Sequence, residues 1–404
     1  MWKVLLLIVA VNLTIAKVRY DGHRLFSIVP TELVHFTAFT ELNNEDGDYN
    51  FWQEPTVLHK KILVTVSPRK LFEFYQVMKQ YRISFEVIIH NIQSVIDNTS
   101  PQSQSPFDFK NYHTLDEIYD YLEELSHMYG KVEVVVGGMT YENREIKGVR
   151  VMNNVDNPGI FIEGGIHARE WIAPATVMYI LHEILTSTDQ NVRHVADRYN
   201  WFFFPVFNPD GYVFAHNEDR LWTKNRKKSS LHCIGTDLNR NWNIFWNISG
   251  TSNDPCSVEY SGTEPFSEIE MKTISEYIKF VQNHFSGYFS FHSFSQKLMF
   301  PYAYTKEHIS NYNQLLIYAA IGTNALSQRY GTHYTTGSIS EMYDLTGGSS
   351  VDYVASVLKK PLVYVYELRD NGTFSFLLPP DQIIPTGQET LDSLVKILTL
   401  WTSN

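Results

Sequence analysis

Four residues far apart in the chain, His167, Glu170, His292 and Glu367, have the side-chain types that metal-assisted hydrolysis requires. His167 and Glu170 follow a run with the pattern of a buried strand, Gly159-Ile160-Phe161-Ile162-Glu163. Gly164-Gly165 then lets the backbone turn sharply before Ile166-His167-Ala168-Arg169-Glu170. A neutral imidazole and a carboxylate three residues later can face one zinc ion, and the C-terminal edge of an open α/β sheet is where ligands bind. Alone the pair is a weak signal, because a chain with 15 histidines is expected to contain about one chance His-x-x-Glu match. His182-Glu183 illustrates this: Thr186 stands where a further histidine would be needed, and the two residues read as a helix pair.

A third ligand must come from elsewhere, and His292 closes the apolar strand pattern Gly287 to Phe291 in an equivalent sheet-edge setting. Taken singly it would read as a satisfied core histidine. Three protein ligands leave one position open for water, whereas a structural zinc site is closed by four, usually including cysteine. Hydrolysis also needs a base, and Val363-Tyr364-Val365-Tyr366-Glu367 places a carboxylate at the end of a strongly apolar strand. The structural alternative for Glu367 is an ion pair with Arg369. Thr236-Asp237-Leu238-Asn239-Arg240-Asn241-Trp242 offers an arginine fork beside an amide donor, which suits the free carboxylate of a peptide end and points to an exopeptidase. Outside that constellation Arg240 would read as a surface ion pair.

These residues need strands to carry them. Strand patterns run over Val132 to Val136, Ile146 to Met152, Gly159 to Glu163 and Trp201 to Val206, with a helix near Pro174 to Thr186. Thr114-Leu115-Asp116-Glu117 is a helix N-cap with an acid at the third helical position, opening a helix through Tyr129 that Gly130 closes. The alternation predicts an α/β fold, a sheet covered by helices on both faces. Upstream, Lys61 to Val66 reads as a strand, Pro68 to Gln80 as an amphipathic helix and Ile83 to Ile89 as another strand. The polar, proline-flanked run from Asn98 to Pro106 has the composition of an exposed linker. The expected organisation is a signal peptide over residues 1–16, a small domain with its linker over 17–106 and a larger domain over 107–404.

The leader expectation rests on Lys3, the apolar run Val4 to Val11 and the small residues around Ala16, with cleavage after Ala16. That run is too short to span a membrane and no later stretch is long enough, so the processed chain is expected to be secreted, extracellular and without a membrane partner. A formal charge of -11 gives no electrostatic reason to expect nucleic acid, and 44% apolar content supplies a full core. In an oxidising secretory route the two cysteines, Cys233 and Cys256, are expected to be bridged, which stabilises by roughly 3 kcal/mol for so short a loop. Sequons begin at Asn98, Asn247 and Asn371.

From about Tyr112 onward the chain resembles the pancreatic-type A/B zinc metallocarboxypeptidases, and residues 20 to 97 resemble their inhibitory prosegment. The resemblance rests on Tyr112-His113-Thr114-Leu115-Asp116-Glu117-Ile118, Gly165-Ile166-His167-Ala168-Arg169-Glu170-Trp171-Ile172, Asn208-Pro209-Asp210-Gly211-Tyr212, Asp237-Leu238-Asn239-Arg240-Asn241-Trp242, His292-Ser293-Phe294-Ser295-Gln296 and Glu367-Leu368-Arg369-Asp370. It implies a mixed central β-sheet flanked by helices, preceded by a small α/β prodomain over the cleft. It also implies one zinc ion per chain on His167, Glu170 and His292, with Glu367 as base. Asn239, Arg240 and Tyr343 fall on groups that grip the substrate's terminal carboxylate, Arg169 on an accessory substrate contact, and Cys233 and Cys256 on the family disulfide. The implied partners are peptides or proteins with a free C-terminus and an activating protease.

Two departures stand out. The family usually carries an arginine after the Arg-Leu-Trp triplet, where it steadies the oxyanion, but Arg220-Leu221-Trp222 is followed by Thr223, with Lys224 and Arg226 as the nearby cations. Losing such a donor costs about 10²- to 10³-fold in turnover unless another substitutes. Relatives are commonly activated by cutting at a basic residue in the connecting segment, yet no Lys or Arg lies between Arg82 and Lys110. At the specificity pocket, Gly347-Gly348-Ser349 continues one residue longer than usual. The pocket position is therefore Val351 or Ser350 according to the alignment, and neither is acidic. With Val365 and Ala303 on further pocket positions, the expected preference is for apolar or aromatic C-terminal residues. Two other functions fit parts of the pattern: a non-catalytic zinc-containing peptide-binding homologue, and a two-metal aminopeptidase. The latter lacks an evident acidic grip for a substrate ammonium.

Overall fold

The apolar runs and helical patterns assemble into two sheets of different size. In the computed structural model the described residues are 17–42, 48–52, 58–99 and 107–401. The expected leader, residues 1–16, and positions 100–106 of the expected linker lie outside them.

The smaller sheet is antiparallel and comprises β1 (Arg24–Ile28), β2 (Tyr49–Phe51), β3 (Ile62–Val66) and β4 (Phe85–Ile89), in the order β2-β3-β1-β4. All five residues of β3 are buried, because alternate side chains enter different cores. Ile62, Val64 and Val66 pack with the helices Val34–Leu42 and Leu71–Gln80. Leu63 turns the other way and packs with Trp52, Leu221 and Leu377, so the second face of the small sheet is buried on the larger domain. The helix expected from Pro68 begins as a 3₁₀ turn, Pro68–Lys70, before its α-helical part.

The larger sheet has eight strands: β5 (Val132–Met139), β6 (Glu145–Val151), β7 (Gly159–Gly164), β8 (Asn200–Phe204), β9 (Gly287–Ser293), β10 (Lys297–Phe300), β11 (Thr335–Ser338) and β12 (Leu362–Leu368). Their order is β11-β10-β12-β9-β7-β8-β6-β5. The central four, β12-β9-β7-β8, run parallel, so their C-terminal ends share one edge. They are buried throughout, apart from Glu367 in β12, which accounts for their continuous apolar runs. β8 stops at Phe204, two residues before the expected end, because Pro205 has no N–H to continue the ladder.

Helices flank this mixed sheet, as the resemblance implied. The helix Leu115–Met128 carries the expected capping box: Thr114 N–H donates to Glu117 Oε2 at 2.7 Å, and Glu117 N–H to Thr114 Oγ1 at 3.3 Å. The helices Ile172–Thr186 and Ile383–Trp401 pack closely, and His182-Glu183 is confirmed as part of the former. No described helix is long and apolar enough to cross a membrane.

Gly387 marks where those two helices touch: a Cβ there would lie 2.5 Å from Tyr179 ring carbons. Gly→Ala inside a helix ordinarily stabilises by roughly 0.5–1 kcal/mol. Gly387→Ala is expected to reverse that sign and cost about 1–3 kcal/mol through overpacking. Denaturant unfolding of the two proteins checks it, and a stabilised variant would refute the close packing.

Candidate metal centre

Each of the four sequence-selected residues is delivered by a strand end of the parallel group. Gly165, at φ +63°, takes the left-handed turn that ends β7. The short segment that follows brings His167 and Glu170 back over the sheet edge. His292 is the sixth residue of β9, and Glu367 pairs with it directly in register on β12. One strand order and one register thus bring together residues spanning two hundred positions.

His167 Nδ1 lies 2.8 Å from Glu170 Oε1 and 3.2 Å from His292 Nδ1, and His292 Nδ1 lies 3.1 Å from Glu170 Oε2. Two imidazole nitrogens and a carboxylate therefore converge on one point, and this is the metal-ligand cluster among the described residues. Burial opposes a charged imidazole here, yet the Glu170 and Asp237 carboxylates carry His167 up to about 10. Glu170 is held well below the usual range: burial would raise it, but both histidines pull it down. The site has a built-in demand for positive charge. Two nitrogens, one carboxylate and no further ligand side chain in the cluster are the donor set of a catalytic zinc site, so the residues present fit that ion.

The surrounding shell orients these ligands. His167 Nε2 sits 3.0 Å from Asp237 Oδ1, the carboxylate–histidine arrangement that fixes the ring and directs the other nitrogen at a metal. Ser293 N–H donates to Glu170 Oε2 at 3.2 Å. Asn239 Nδ2 lies 3.5 Å from His292 Nε2, and its Oδ1 accepts the Ser350 N–H at 3.0 Å. Asp237 lay inside a motif already singled out, but nothing in its spacing announced a contact with a histidine 70 residues earlier. Burial raises the Glu367 carboxyl, and nearby Glu170 adds to that, while His292 opposes it. Arg369 does not pair with Glu367. Its guanidinium binds Glu389, Gln382 and Thr332, which removes the structural alternative for the base.

Around this centre the remaining residues occupy distinct places. Arg240 donates from Nε to Gly250 O at 2.9 Å and lies 3.6 Å from Asp237 Oδ2. Tyr343 shares a 2.8 Å hydrogen bond with Ser295 Oγ. Val365 stands two residues before Glu367 on β12, so both project from the same sheet face. Val351 and Ala303 are buried, and the Ala303 N–H is 3.1 Å from both Asp352 carboxylate oxygens. Burial raises Asp352 to about 7, while these backbone contacts lower it. Cys233 and Cys256 form the disulfide, with Cα atoms 5.0 Å apart.

Neither cation near Thr223 is turned to the centre. Lys224 Nζ donates to Pro255 O and Ser257 O at 2.8 and 2.9 Å, and Arg226 lies over the rings of Phe214 and Trp222. The small domain reaches into the cleft. Arg169 Nη2 donates to Trp52 O at 3.1 Å, Lys60 pairs with Asp344 at 2.6 Å, and Tyr20 donates to Asp219 at 2.7 Å. Arg220, not selected from the sequence, donates to the carbonyls of Arg169 and Phe376 and fixes that wall.

The zinc carboxypeptidase family profile matches residues 118–393, and the carboxypeptidase activation peptide profile matches residues 26–99. Zinc carboxypeptidase A 1 of Anopheles gambiae is 39% identical over 402 residues, covering 97% of this chain and 93% of its own length. The zinc carboxypeptidase of Simulium vittatum is 47% identical over 291 residues, covering 71% and 95%. Among solved structures, thrombin activatable fibrinolysis inhibitor superposes with a TM-score of 0.88 at 29% identity, covering 95% of this chain and 100% of that one.

Asp237→Asn keeps the size of the side chain but removes the charge behind His167. Zinc affinity, measured by competition with a chelator, is expected to fall about 10- to 100-fold with the fold intact. Unchanged affinity would show that Asp237 does not govern the ligand.

Proposed function

The chain belongs to the zinc carboxypeptidase family and is a zinc metallocarboxypeptidase precursor with an activation peptide; from that premise we propose that it is secreted and removes apolar or aromatic residues from peptide C-termini. The observation that carries the reading is the convergence of His167, Glu170 and His292 beside Glu367, with Arg240 3.6 Å from the Asp237 carboxylate that backs His167.

His167, Glu170 and His292 would hold a zinc ion, which would supply there a Lewis acid able to polarise a carbonyl and acidify water. Glu367 acts as general base: a carboxyl raised by burial takes a proton from the attacking water and passes it to the leaving amine nitrogen. Arg240, with Asn239 and Tyr343, holds the substrate's terminal carboxylate and so confines cleavage to the last peptide bond. Arg169 contacts the substrate further from the chain end. In the precursor its guanidinium is occupied by the Trp52 carbonyl, which supports inhibition by residues 17–106 and activation by a protease cutting near the expected linker. Because Lys224 and Arg226 are engaged elsewhere, Thr223 leaves the oxyanion with one donor fewer than the family usually offers, and turnover is correspondingly modest.

The terminal side chain meets Val351, Val365 and Ala303. Asp352, the acid closest to them in sequence, is fully buried and directs both oxygens at the Ala303 N–H, an arrangement that offers little to an incoming cation.

Two experiments test this reading on the activated, zinc-loaded protein. Glu367→Gln is expected to lower hydrolysis about 10²- to 10⁴-fold while zinc content stays at one per chain, and retained turnover would remove Glu367 from the reaction. Peptides ending in Phe or Leu are expected to be cut well, those ending in Lys or Arg poorly, and a C-terminal amide not at all. Rapid release of Lys or Arg with slow release of Phe would overturn the assigned pocket.

A further inference from the structure

Lys297 is the cation that the proposed reaction leaves unused. It opens β10 and pairs directly with Glu367 across the antiparallel β10–β12 ladder, so both side chains project from the same face of the sheet. Its ammonium lies 3.8 Å from the centroid of the Tyr343 ring and makes no hydrogen bond among the described residues. The side chain is half-buried. Burial lowers its pKa and the neighbouring Lys60 adds to that, while Glu367 opposes the shift in part. The other cleft cations are committed: Arg240 to Gly250 and Asp237, Arg169 to Trp52, and Lys224 to Pro255 and Ser257.

Its position relative to the chain path fixes what it can meet. The substrate's end lies at Arg240 and its reacting carbonyl beside Glu367. Lys60, which belongs to the covering domain, lies 5.8 Å from the centroid of the same Tyr343 ring. Lys297 therefore stands beside the base, with the Tyr343 ring and the covering segment that carries Lys60 close to it. A compact charge on a flexible stem can follow a side-chain carboxylate whose position varies from one peptide to the next.

Resting on the carboxypeptidase reading, we infer that Lys297 is a specificity-determining residue that selects substrates with an acidic side chain immediately before the scissile bond. A like charge at that substrate position is repelled, so discrimination has an attractive and a repulsive part. Tyr343 keeps the ammonium in place by offering its ring face.

The test uses the activated, zinc-loaded protein and three peptides that end in Phe and differ only in the preceding residue, Glu, Ala or Lys. The expected kcat/KM for Glu exceeds that for Lys by about tenfold at low ionic strength, and the ratio shrinks in about 1 M salt, where charges a few ångströms apart are screened. Lys297→Met, which keeps the long stem, brings the ratio to about one, and Lys297→Arg retains a preference for Glu. A ratio near one in the unaltered protein overturns the inference, as does a ratio that survives in Lys297→Met. A uniform loss on all three peptides with the ratio intact would assign Lys297 to the chain end and also overturn it. Hydrolysis of the Ala peptide separates the two levels. If it fails, the carboxypeptidase reading and this inference fall together; if it persists without a Glu-over-Lys ratio, only the inference falls.

Discussion

Two imidazoles and a carboxylate, largely withdrawn from water and with donor atoms within 4.8 Å of one another, favour positive charge at their centre. That need organises the domain. It requires strand ends that arrive at the same edge, which the parallel order β12-β9-β7-β8 supplies, and it requires anions behind the histidines, which Asp237 supplies. A lone buried charge is expensive, and a cluster persists only where each member has a partner of defined geometry. Glu170 is accordingly tied to both histidines and to the Ser293 N–H, so no oxygen of it is left to choose another arrangement.

The same constraint explains how the small domain covers the site. The covered face carries charge of both signs, and the small domain offers a partner to each. The Trp52 carbonyl serves Arg169, and Lys60 engages Asp344 beside Tyr343. Between these polar contacts the interface is apolar, with Leu63, Ile89 and Ile92 meeting Leu221 and Leu377. Polar contacts thus flank an apolar core, an arrangement common to protein interfaces. β3 is the element that makes this possible, since its alternation serves a core on each side.

Much of this was legible from the chain. The strands that carry the ligands are apolar runs bounded by glycine or polar residues, and the residues at their ends were conspicuous because carboxylates and imidazoles are rarely placed there. Resemblance then fixed the fold and the chemistry of the set. What escaped was contact between distant segments. Asp237 behind His167, Arg220 across the backbone of Arg169, and Lys297 beside Glu367 depend on strand order and register. Periodicity reports which face a residue takes within its own strand and carries no information about the neighbouring strand. The end of β8 was misjudged for a simpler reason: Val206 continues the apolar run, but Pro205 interrupts the hydrogen bonds that define it.

Thr223 and Lys297 are best understood together. Electrostatic stabilisation depends on where charge is fixed before reaction, so a cation missing on one wall and a cation present on the other alter different properties. On the proposed reading Thr223 offers charge developing on the carbonyl oxygen one donor fewer, and its neighbours Lys224 and Arg226 are engaged by backbone carbonyls and ring faces. Lys297 stands on the strand beyond Glu367, across the base from the metal ligands. In that reading Thr223 bears on how fast a bound peptide reacts, and Lys297 on which peptides are held in position to react. On that reading turnover and discrimination are set by two side chains that are neither metal ligands nor the base.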